Sequence, residues 1–350
     1  MKLPRPIRTL PLSSRPDAMH KDLGIALIGT GGTIAGRASD ATTASHYRPA
    51  SLGVDAILAS IPELATRYRI EVQQAFQLGS YDLTPEHWLS LLRTVEQALA
   101  DPGIGAALIT HGTDTLEETA AFLHLSVQSP KPVIVVGAMR PASAYSADGP
   151  ANVIDGCTVA LHPGAVGRGT MVVMNGRIHS ALLVTKRHVS STEAFDSGFE
   201  GALGEVADQS LRWFRPAHRV RPLKVPDPCE LPRVDLVPAY AGSDEVAIEA
   251  FVRAGAKAIV HAGLGNGNAP TGSRAALQSL ARRGVWLGRC SRWIPGGITR
   301  NSSMFDDDQL GNLTARGLAA HKLRIAMMLA IACGLDRAGC QQWLDEFWEP

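Results

Sequence analysis

Three short segments of the chain carry side chains that could cooperate in nucleophilic catalysis. The first, GTGGTIAG (29–36), places Thr33 among glycines directly after an apolar segment. The second, THGTD (110–114), places the hydroxyl of Thr113 beside the carboxylate of Asp114. The third, VTK (184–186), places Lys186 after another apolar segment. A hydroxyl becomes nucleophilic when a nearby base takes its proton, and a lysine can be that base if burial and neighbours lower its pKa.

The glycine-rich segment could also cradle a phosphate or form an ordinary turn. A dinucleotide-binding fingerprint counted from Gly29 would need Gly or Ala where the chain has Ile34. The polar segment 37–49 does not continue as a helix, and the lysine of a phosphate-binding P-loop is absent. Nucleotide binding is therefore disfavoured. Taken alone, the segment is best interpreted as a turn with a buried threonine.

The other two segments also have simpler interpretations. Asp114 or Thr115 could cap a helix that starts at residue 116, and such a cap is compatible with a proton relay. Lys186, considered by itself, would most often be a surface lysine. Only the combination of the three segments favours catalysis.

Short β-branched segments alternate with longer helical ones, which predicts an α/β fold with a mostly parallel sheet and helices on both faces. In such sheets ligands bind beyond the carboxyl ends of the strands. Strands are predicted at 25–29, 68–76, 105–112, 131–139 and 169–176, and helices at 52–64, 84–99, 116–127 and 149–162.

The chain divides into four predicted segments. Residues 1–21 form a flexible lead-in, 22–214 a larger N-terminal domain, 215–232 a proline-rich linker and 233–350 a smaller α/β domain. In the smaller domain, strands are predicted at 233–240 and 285–290, a strand running into a glycine loop at 258–268, and helices at 244–256, 273–284, 317–334 and 336–348.

Composition limits the partners and the location of the protein. The 350 residues include 34 Lys+Arg and 33 Asp+Glu, a balance that argues against nucleic-acid or membrane-surface partners. No apolar run is long enough for a membrane span, and the proline-containing N-terminus does not resemble a signal peptide. Five cysteines without paired spacing fit reduced thiols, so a cytoplasmic protein is expected. The histidines lack ligand spacing and the acidic stretch 306–308 looks like a solvated loop, so no metal site is expected.

Together the motifs resemble those of the bacterial L-asparaginase and glutaminase-asparaginase family. TGGTIAG (30–36) and THGTDTLEETA (110–120) match two specific signatures. The stretches 136–153, 172–186 and 262–268 resemble three further ones, and the likeness runs from about 24 to 348. The resemblance implies a large and a small α/β domain, no cofactor, a small-molecule amide substrate and a homotetramer, a dimer of dimers whose sites are shared between subunits.

The resemblance also implies a role for each matching residue. Thr33 would be the nucleophile and Tyr47 would contact it, while Thr113, Asp114 and Lys186 would form a second hydroxyl–carboxylate–lysine set. The reaction would be hydrolysis of L-asparagine through an acyl-enzyme on Thr33. The segment 37–49 would be a lid over the substrate. The implied substrate contacts are Ser80 for the α-carboxylate, Asp114 for the α-ammonium, the Ala138 carbonyl for the carboxamide nitrogen, and Asn268 from a neighbouring subunit.

The chain departs from the family pattern at the ammonium pocket. Tyr81 stands where many members have a glutamine, and Ser302, Ser303 or Met304 falls where the family often supplies a glutamate from the neighbouring subunit. These departures predict low glutaminase activity. They also leave open a preferred amide other than free L-asparagine, such as D-asparagine or an asparaginyl peptide.

Two alternatives to an asparaginase share these motifs. The ammonia-supplying subunit of a tRNA amidotransferase would carry an additional N-terminal domain, whereas about 23 loosely structured residues precede the first predicted strand. A binding protein that senses asparagine without hydrolysing it would fit the altered ammonium pocket. The presence of Thr33, Thr113, Asp114 and Lys186 argues against this second alternative.

Overall fold

The apolar segment that begins at Gly24 forms a fully buried strand, β1 (Gly24–Gly31), in the larger of two parallel-stranded units. The computed structural model describes residues 22–38, 47–217, 220–292 and 297–348. The predicted lead-in 1–21 lies outside the described residues, as do parts of the predicted lid and linker.

The first unit contains twelve strands and five α-helices among the described residues. Its strands are β1, β2 (Arg37–Ala38), β3 (Tyr47–Arg48), β4 (Ile70–Leu78), β5 (Ile104–Thr110), β6 (Val133–Val136), β7 (Thr170–Met174), β8 (Arg177–Ser180), β9 (Thr185–Lys186), β10 (Phe195–Asp196), β11 (Gly204–Ala207) and β12 (Ser210–Trp213). Its helices are α1 (Val54–Ala59), α2 (Pro62–Arg67), α3 (Pro85–Ala100), α4 (Leu116–Ser126) and α5 (Gly149–Ala160).

Eight of these strands form one sheet in the order β12-β11-β8-β7-β6-β5-β1-β4. The five strands from β7 to β4 are parallel to one another, as the sequence predicts, and the three at the other edge are antiparallel. Helices α3 and α4 cover one face of the sheet, and α1, α2 and α5 cover the other. The predicted fold class is confirmed.

The antiparallel edge was not predicted, although one signal for it lies in the sequence. Asn175 and Gly176, between β7 and β8, both have positive φ angles of 51° and 72°. Asn-Gly is the residue pair that favours a two-residue hairpin turn of this kind. The next hairpin, between β11 and β12, turns at Asp208 and Gln209, which carry no such signal, and both also have positive φ angles.

Several predicted elements of the first unit differ from the structure in their bounds. The strand predicted at 131–139 is shorter, at 133–136. The single helix predicted at 52–64 is two helices, because Pro62 cannot continue α1 and instead starts α2. The strand predicted at 68–76 lies two residues later, at 70–78. The prediction of Thr84 as the N-cap of α3, with Pro85 as its first residue, is confirmed.

The second unit is a four-stranded parallel sheet in the order of the chain. Its strands are β13 (Val234–Pro238), β14 (Ala258–Gly263), β15 (Trp286–Ser291) and β16 (Leu313–Thr314). Its α-helices are α6 (Val246–Arg253), α7 (Thr271–Ser279), α8 (Asp307–Leu310), α9 (Ala320–Ala332) and α10 (Arg337–Asp345).

Helix α9 joins the two units because it packs against α4 of the first unit and against the sheet of the second. One continuous apolar core runs from Phe122 on α4 to Leu323, Met327 and Ala330 on α9. The smaller domain therefore does not hang freely from the larger one. Its longest helix is part of the core beneath the larger sheet.

The expectation that residues 306–308 form a solvated loop is wrong for Asp307. Its side chain is fully buried and forms an ion pair with the fully buried guanidinium of Arg289. Asp307 also accepts hydrogen bonds from the Asn301 backbone (2.9 Å) and the Asn312 side chain (3.0 Å). On its other side Arg289 donates to the carbonyl of Asn266 (3.3 Å), so the ion pair fixes the loop that carries Asn268.

We predict that Asp307→Asn lowers the free energy of unfolding by about 3–5 kcal/mol, because it leaves the Arg289 charge buried without a carboxylate. Denaturant unfolding followed by circular dichroism measures the change. Asp308→Asn is the matched control, since the side chain of Asp308 is 64% exposed and pairs with Arg300 at the surface. Equal unfolding midpoints for the two variants would contradict the prediction.

Candidate active site

Four adjacent parallel strands end beside one another and present the predicted site residues. Thr33 follows β1, Ser80 follows β4, Thr113 follows β5 and the buried Ala138 follows β6. In the sheet these strands are neighbours in the order β6-β5-β1-β4. Segments that lie far apart in the sequence therefore meet at one edge, as expected for ligand sites in parallel sheets.

The loops that carry the two threonines touch backbone to backbone. Gly31 and Gly32 have φ angles of 99° and 80°, which favour glycine. A Cβ atom on Gly32 would lie 2.2 Å from the Cα of Gly112, so a side chain cannot fit there. Thr33 and Thr113 each follow one of these touching glycines, and so belong to the same small site.

Thr33 is paired with a tyrosine, as predicted. Its Oγ1 lies 2.6 Å from the hydroxyl of Tyr47. Tyr47 lies on β3, which pairs with β2, and Gly36 leaves room for the tyrosine ring because a Cβ there would lie 2.7 Å from the ring carbon Cδ2. Residues 39–46 of the predicted lid lie outside the described residues, and the lid remains a prediction.

Lys186 connects the second hydroxyl to the carboxylate. Its Nζ donates to Thr113 Oγ1 at 2.9 Å and to Asp114 Oδ1 at 2.8 Å. The lysine side chain is 18% exposed, whereas that of Asp114 is 57% exposed. The interpretation of Lys186 as an ordinary surface lysine is therefore wrong, and Asp114 keeps a face open to solvent.

Thr115 occupies the N-cap position of α4, but its hydroxyl does not cap the helix. Instead it donates to the carbonyl oxygen of Ser80 at 2.8 Å. The side chain of Ser80 is buried against Gly112, where an added Cβ would lie 2.6 Å from Ser80 Oγ. The hydroxyl of Thr115 thus connects the loop after β4 to the loop after β5 by a hydrogen bond.

His111 contributes to the site although the sequence analysis gave it no role. Burial lowers the pKa of its imidazole to about 4, so the ring is neutral near pH 7. Its Nδ1 donates to the carbonyl oxygen of Gly112 at 2.7 Å, and its backbone N–H donates to Val136. The histidine therefore shapes the loop that ends in Thr113.

Three further residues near the site are not predicted from the sequence: Glu117, His321 and Lys322. Glu117 accepts a hydrogen bond from the backbone N–H of Lys186 at 3.3 Å and contacts both residues of α9. The sequence predicts Glu117 only as a carboxylate in the first turn of a helix. Its partners on α9 lie about two hundred positions away, where local patterns give no signal.

The residues of the predicted ammonium pocket are not all brought together. Tyr81 is next to Ser80 and is 64% exposed, with its ring lying over Gly79. Asn268 lies in the second unit, where its backbone pairs with that of Leu264. In the described part of the chain, neither Asn268 nor the exposed Ser303 hydrogen-bonds to Thr33 or Lys186.

The described residues contain neither a cluster of metal ligands nor a membrane-spanning helix. No group of three or more His, Cys, Asp or Glu side chains there could hold a metal ion. No helix among them is long and apolar enough to cross a membrane.

Two hydroxyls, each with a hydrogen-bonded partner, meet at the ends of parallel strands, and comparison with known proteins gives the family. The chain matches the model of the asparaginase N-terminal domain over residues 24–219 and that of the glutaminase/asparaginase C-terminal domain over residues 233–344. This protein belongs to the asparaginase family and is an amidohydrolase, as the motifs predict.

Individual relatives cover nearly the whole chain. It is 36% identical to L-asparaginase 2 of Bacillus subtilis, over 97% of this chain and 91% of that protein. It is 37% identical to glutaminase-asparaginase of Pseudomonas fluorescens biotype A, over 93% and 90%. The crystal structure of a probable cytoplasmic L-asparaginase from Campylobacter jejuni matches with a TM-score of 0.88 at 33% identity, covering 93% of this chain and 99% of that chain.

We predict that Gly32→Ala abolishes turnover, because the new methyl group would collide with Gly112 and alanine at this φ costs about 1–3 kcal/mol. Ammonia release from L-asparagine and the thermal unfolding midpoint measure the effect. Gly53→Ala is the control, since its φ is −72° and the nearest atom to its added Cβ is 3.9 Å away. Normal turnover by Gly32→Ala would show that the two loops can separate without loss of function.

Proposed function

We propose that the protein hydrolyses L-asparagine to L-aspartate and ammonia through an acyl-enzyme on Thr33. The observation that carries the proposal is the contact between Gly32 and Gly112, which puts two hydroxyls with their own proton partners on adjoining strand ends. One hydroxyl is paired with Tyr47 and the other with Lys186. Membership of the asparaginase family supports the reaction type.

In the first step, Thr33 Oγ1 attacks the carboxamide carbon of the substrate. The threonine proton passes through the Tyr47 hydroxyl to the amide nitrogen, the carbon–nitrogen bond breaks, and ammonia leaves. An ester between substrate and Thr33 remains. Backbone N–H groups of the glycine-rich loops would stabilise the negative charge that develops on the carbonyl oxygen.

In the second step, water attacks the ester carbon. Thr113 takes a proton from the water while it passes its own proton to Lys186 Nζ, and the carboxylate of Asp114 stabilises the resulting ammonium. The ester bond breaks, L-aspartate leaves, and the proton taken up by Lys186 is given back to the Thr33 oxygen, so that both groups return to their starting states. The distances of 2.9 and 2.8 Å from Lys186 Nζ to Thr113 and Asp114 support this relay.

The remaining predicted residues would bind the substrate. Ser80 would hold the α-carboxylate, the open face of Asp114 the α-ammonium, and the carbonyl of Ala138 the carboxamide nitrogen. Asn268 would complete the site of a neighbouring subunit. This arrangement needs an oligomer, and we propose a homotetramer built as a dimer of dimers, which light scattering coupled to gel filtration would test.

A cytoplasmic location is also a proposal. The relative from Campylobacter jejuni is named a probable cytoplasmic enzyme, while a relative from Haemophilus influenzae, 34% identical, is named as periplasmic. Cell fractionation followed by immunoblotting separates the two locations.

Thr33→Ala should abolish ammonia release from L-asparagine, because no other hydroxyl would replace the nucleophile. Thr33→Ser keeps a hydroxyl and should retain measurable turnover. Mass spectrometry of the wild-type protein quenched during turnover should show an acyl adduct on Thr33 that the alanine variant lacks. A wild-type protein that binds asparagine without releasing ammonia would favour the sensing alternative instead.

Low glutaminase activity follows from the altered ammonium pocket. Tyr81 replaces an amide side chain, and Ser302–Met304 offer no carboxylate. One extra methylene in a substrate changes specificity by roughly 10–200-fold, so we expect kcat/KM for L-asparagine to exceed that for L-glutamine by about 10-fold or more. Tyr81→Gln should reduce the difference in kcat/KM between L-asparagine and L-glutamine.

Steady-state ammonia release with both amino acids, D-asparagine and asparaginyl peptides checks the specificity. Tyr145→Gln is a suitable control, since Tyr145 is 88% exposed and has no predicted contact with substrate. Comparable kcat/KM for asparagine and glutamine in the wild-type protein would refute the expectation.

A further inference from the structure

The carboxylate of Glu117 lies behind the catalytic lysine. Glu117 is in the first turn of α4, three residues after Asp114, and is buried. Its Oε1 accepts the backbone N–H of Lys186 at 3.3 Å. One carboxylate therefore connects the start of α4, which follows Thr113 and Asp114, to the backbone of the residue whose Nζ must reach both of them.

The other oxygen of Glu117 contacts two side chains of the second unit. Its Oε2 lies 3.0 Å from His321 Nε2 and 3.7 Å from Lys322 Nζ. Both residues are in the first turn of α9. The carboxylate of Glu117 is thus held by side chains of the C-terminal unit.

Lys322 also holds the chain that leads into Lys186. Its fully buried Nζ donates to the carbonyl oxygen of Leu182 at 3.2 Å and to that of Val184. Lys186 itself belongs to β9, a strand of only two residues paired with β10. The short strand leaves few other backbone contacts to fix the lysine, so these bonds carry much of its placement.

The opposite charges of Glu117 and Lys322 stabilise this buried contact. Burial lowers the pKa of Lys322 to about 8, against the opposing effect of Glu117. Burial would raise the pKa of Glu117, but the hydrogen bond from His321 and the charge of Lys322 outweigh it and hold that pKa below its usual value. Glu117 is therefore an ionised acceptor near neutral pH, and its place at the N-terminus of α4 favours the negative charge further.

We propose that Glu117, held by His321 and Lys322 of the C-terminal unit, is a positioning residue that sets the reach of Lys186 Nζ to Thr113 and Asp114. This inference rests on the proposed function, because it concerns the base of that reaction. Misplacing a catalytic group by about 1 Å can cost on the order of 100-fold in rate. The catalytic lysine would then depend on both units of the chain.

The experiment changes His321, the partly exposed partner of Glu117. His321→Phe removes the donor to Glu117, whereas His321→Gln keeps an N–H donor on a side chain of similar reach. We expect kcat for asparagine to fall about 10-fold in His321→Phe, as for other residues that orient a catalytic group, and to recover largely in His321→Gln. KM should stay within about twofold in both, since His321 does not contact Ser80 or Asp114.

Glu117→Met is the direct variant, and we expect about 100-fold lower kcat from it. It leaves Lys322 without its carboxylate and can destabilise the protein, so rates are expressed per functional site. Calorimetric titration with L-aspartate counts those sites through the binding stoichiometry. Glu63→Met is the control, because Glu63 is likewise in the first turn of a helix, α2, but is exposed.

The outcomes separate the inference from the proposed function. Wild-type rates per aspartate-binding site in His321→Phe and Glu117→Met would overturn the positioning role alone. Equal losses in His321→Phe and His321→Gln would overturn it as well, because the donor would not matter. A wild-type protein that releases no ammonia, like Thr33→Ala, would overturn the proposed function and this inference with it.

Discussion

The structure depends on the close approach of two glycines, Gly32 and Gly112, at the ends of adjacent parallel strands. The pairing of β1 with β5 brings Gly29 beside Thr110, so the loops that follow begin at the same level of the sheet. Without Cβ atoms, the two backbones can touch, and each chain then turns to present a threonine one residue later. The role of these glycines is to let the two backbones approach closely, which differs from the role of glycines in a phosphate-binding loop. The separation of the backbones that carry the two threonines is therefore set by this contact.

The proposed base, Lys186, is positioned differently from the proposed nucleophile, Thr33. The main sheet positions Thr33 and Thr113, whereas Lys186 lies on a two-residue strand outside that sheet. The backbone before Lys186 is fixed by Lys322, and the lysine's own N–H by Glu117, which contacts α9. The core that α4 shares with α9 keeps these partners in register. The smaller unit is therefore coupled to the chemistry through packing and hydrogen bonds, apart from any residue it lends to a neighbouring subunit.

Local sequence patterns predict the parts of the structure that local forces decide. The strand ends at Thr33, Thr113 and Ala138 follow from apolar runs that stop at glycines, and the parallel sheet follows from strand–helix alternation. Asp307 was misjudged because three consecutive carboxylates look solvated until Arg289, eighteen positions away, is seen to be buried against one of them. The contact between Glu117 and His321 spans 204 positions, and no periodicity or spacing encodes it. The site could thus be located from sequence, while the network that orients its lysine could not.

The buried Lys322 also shows what such a network is for. Taking an ammonium out of water costs several kcal/mol, and a buried ion pair can often be replaced by apolar side chains without loss of stability. Stability alone therefore does not explain a lysine in the centre of this core. Its three donors do more than compensate a charge, since two of them bond to the carbonyl oxygens of Leu182 and Val184. An apolar side chain would fill the same volume but leave those carbonyls, and the chain that leads to Lys186, free to shift. The ionised Glu117 stabilises the buried charge of Lys322. Glu117 can in turn position Lys186 because Lys322 and His321 hold its carboxylate in place.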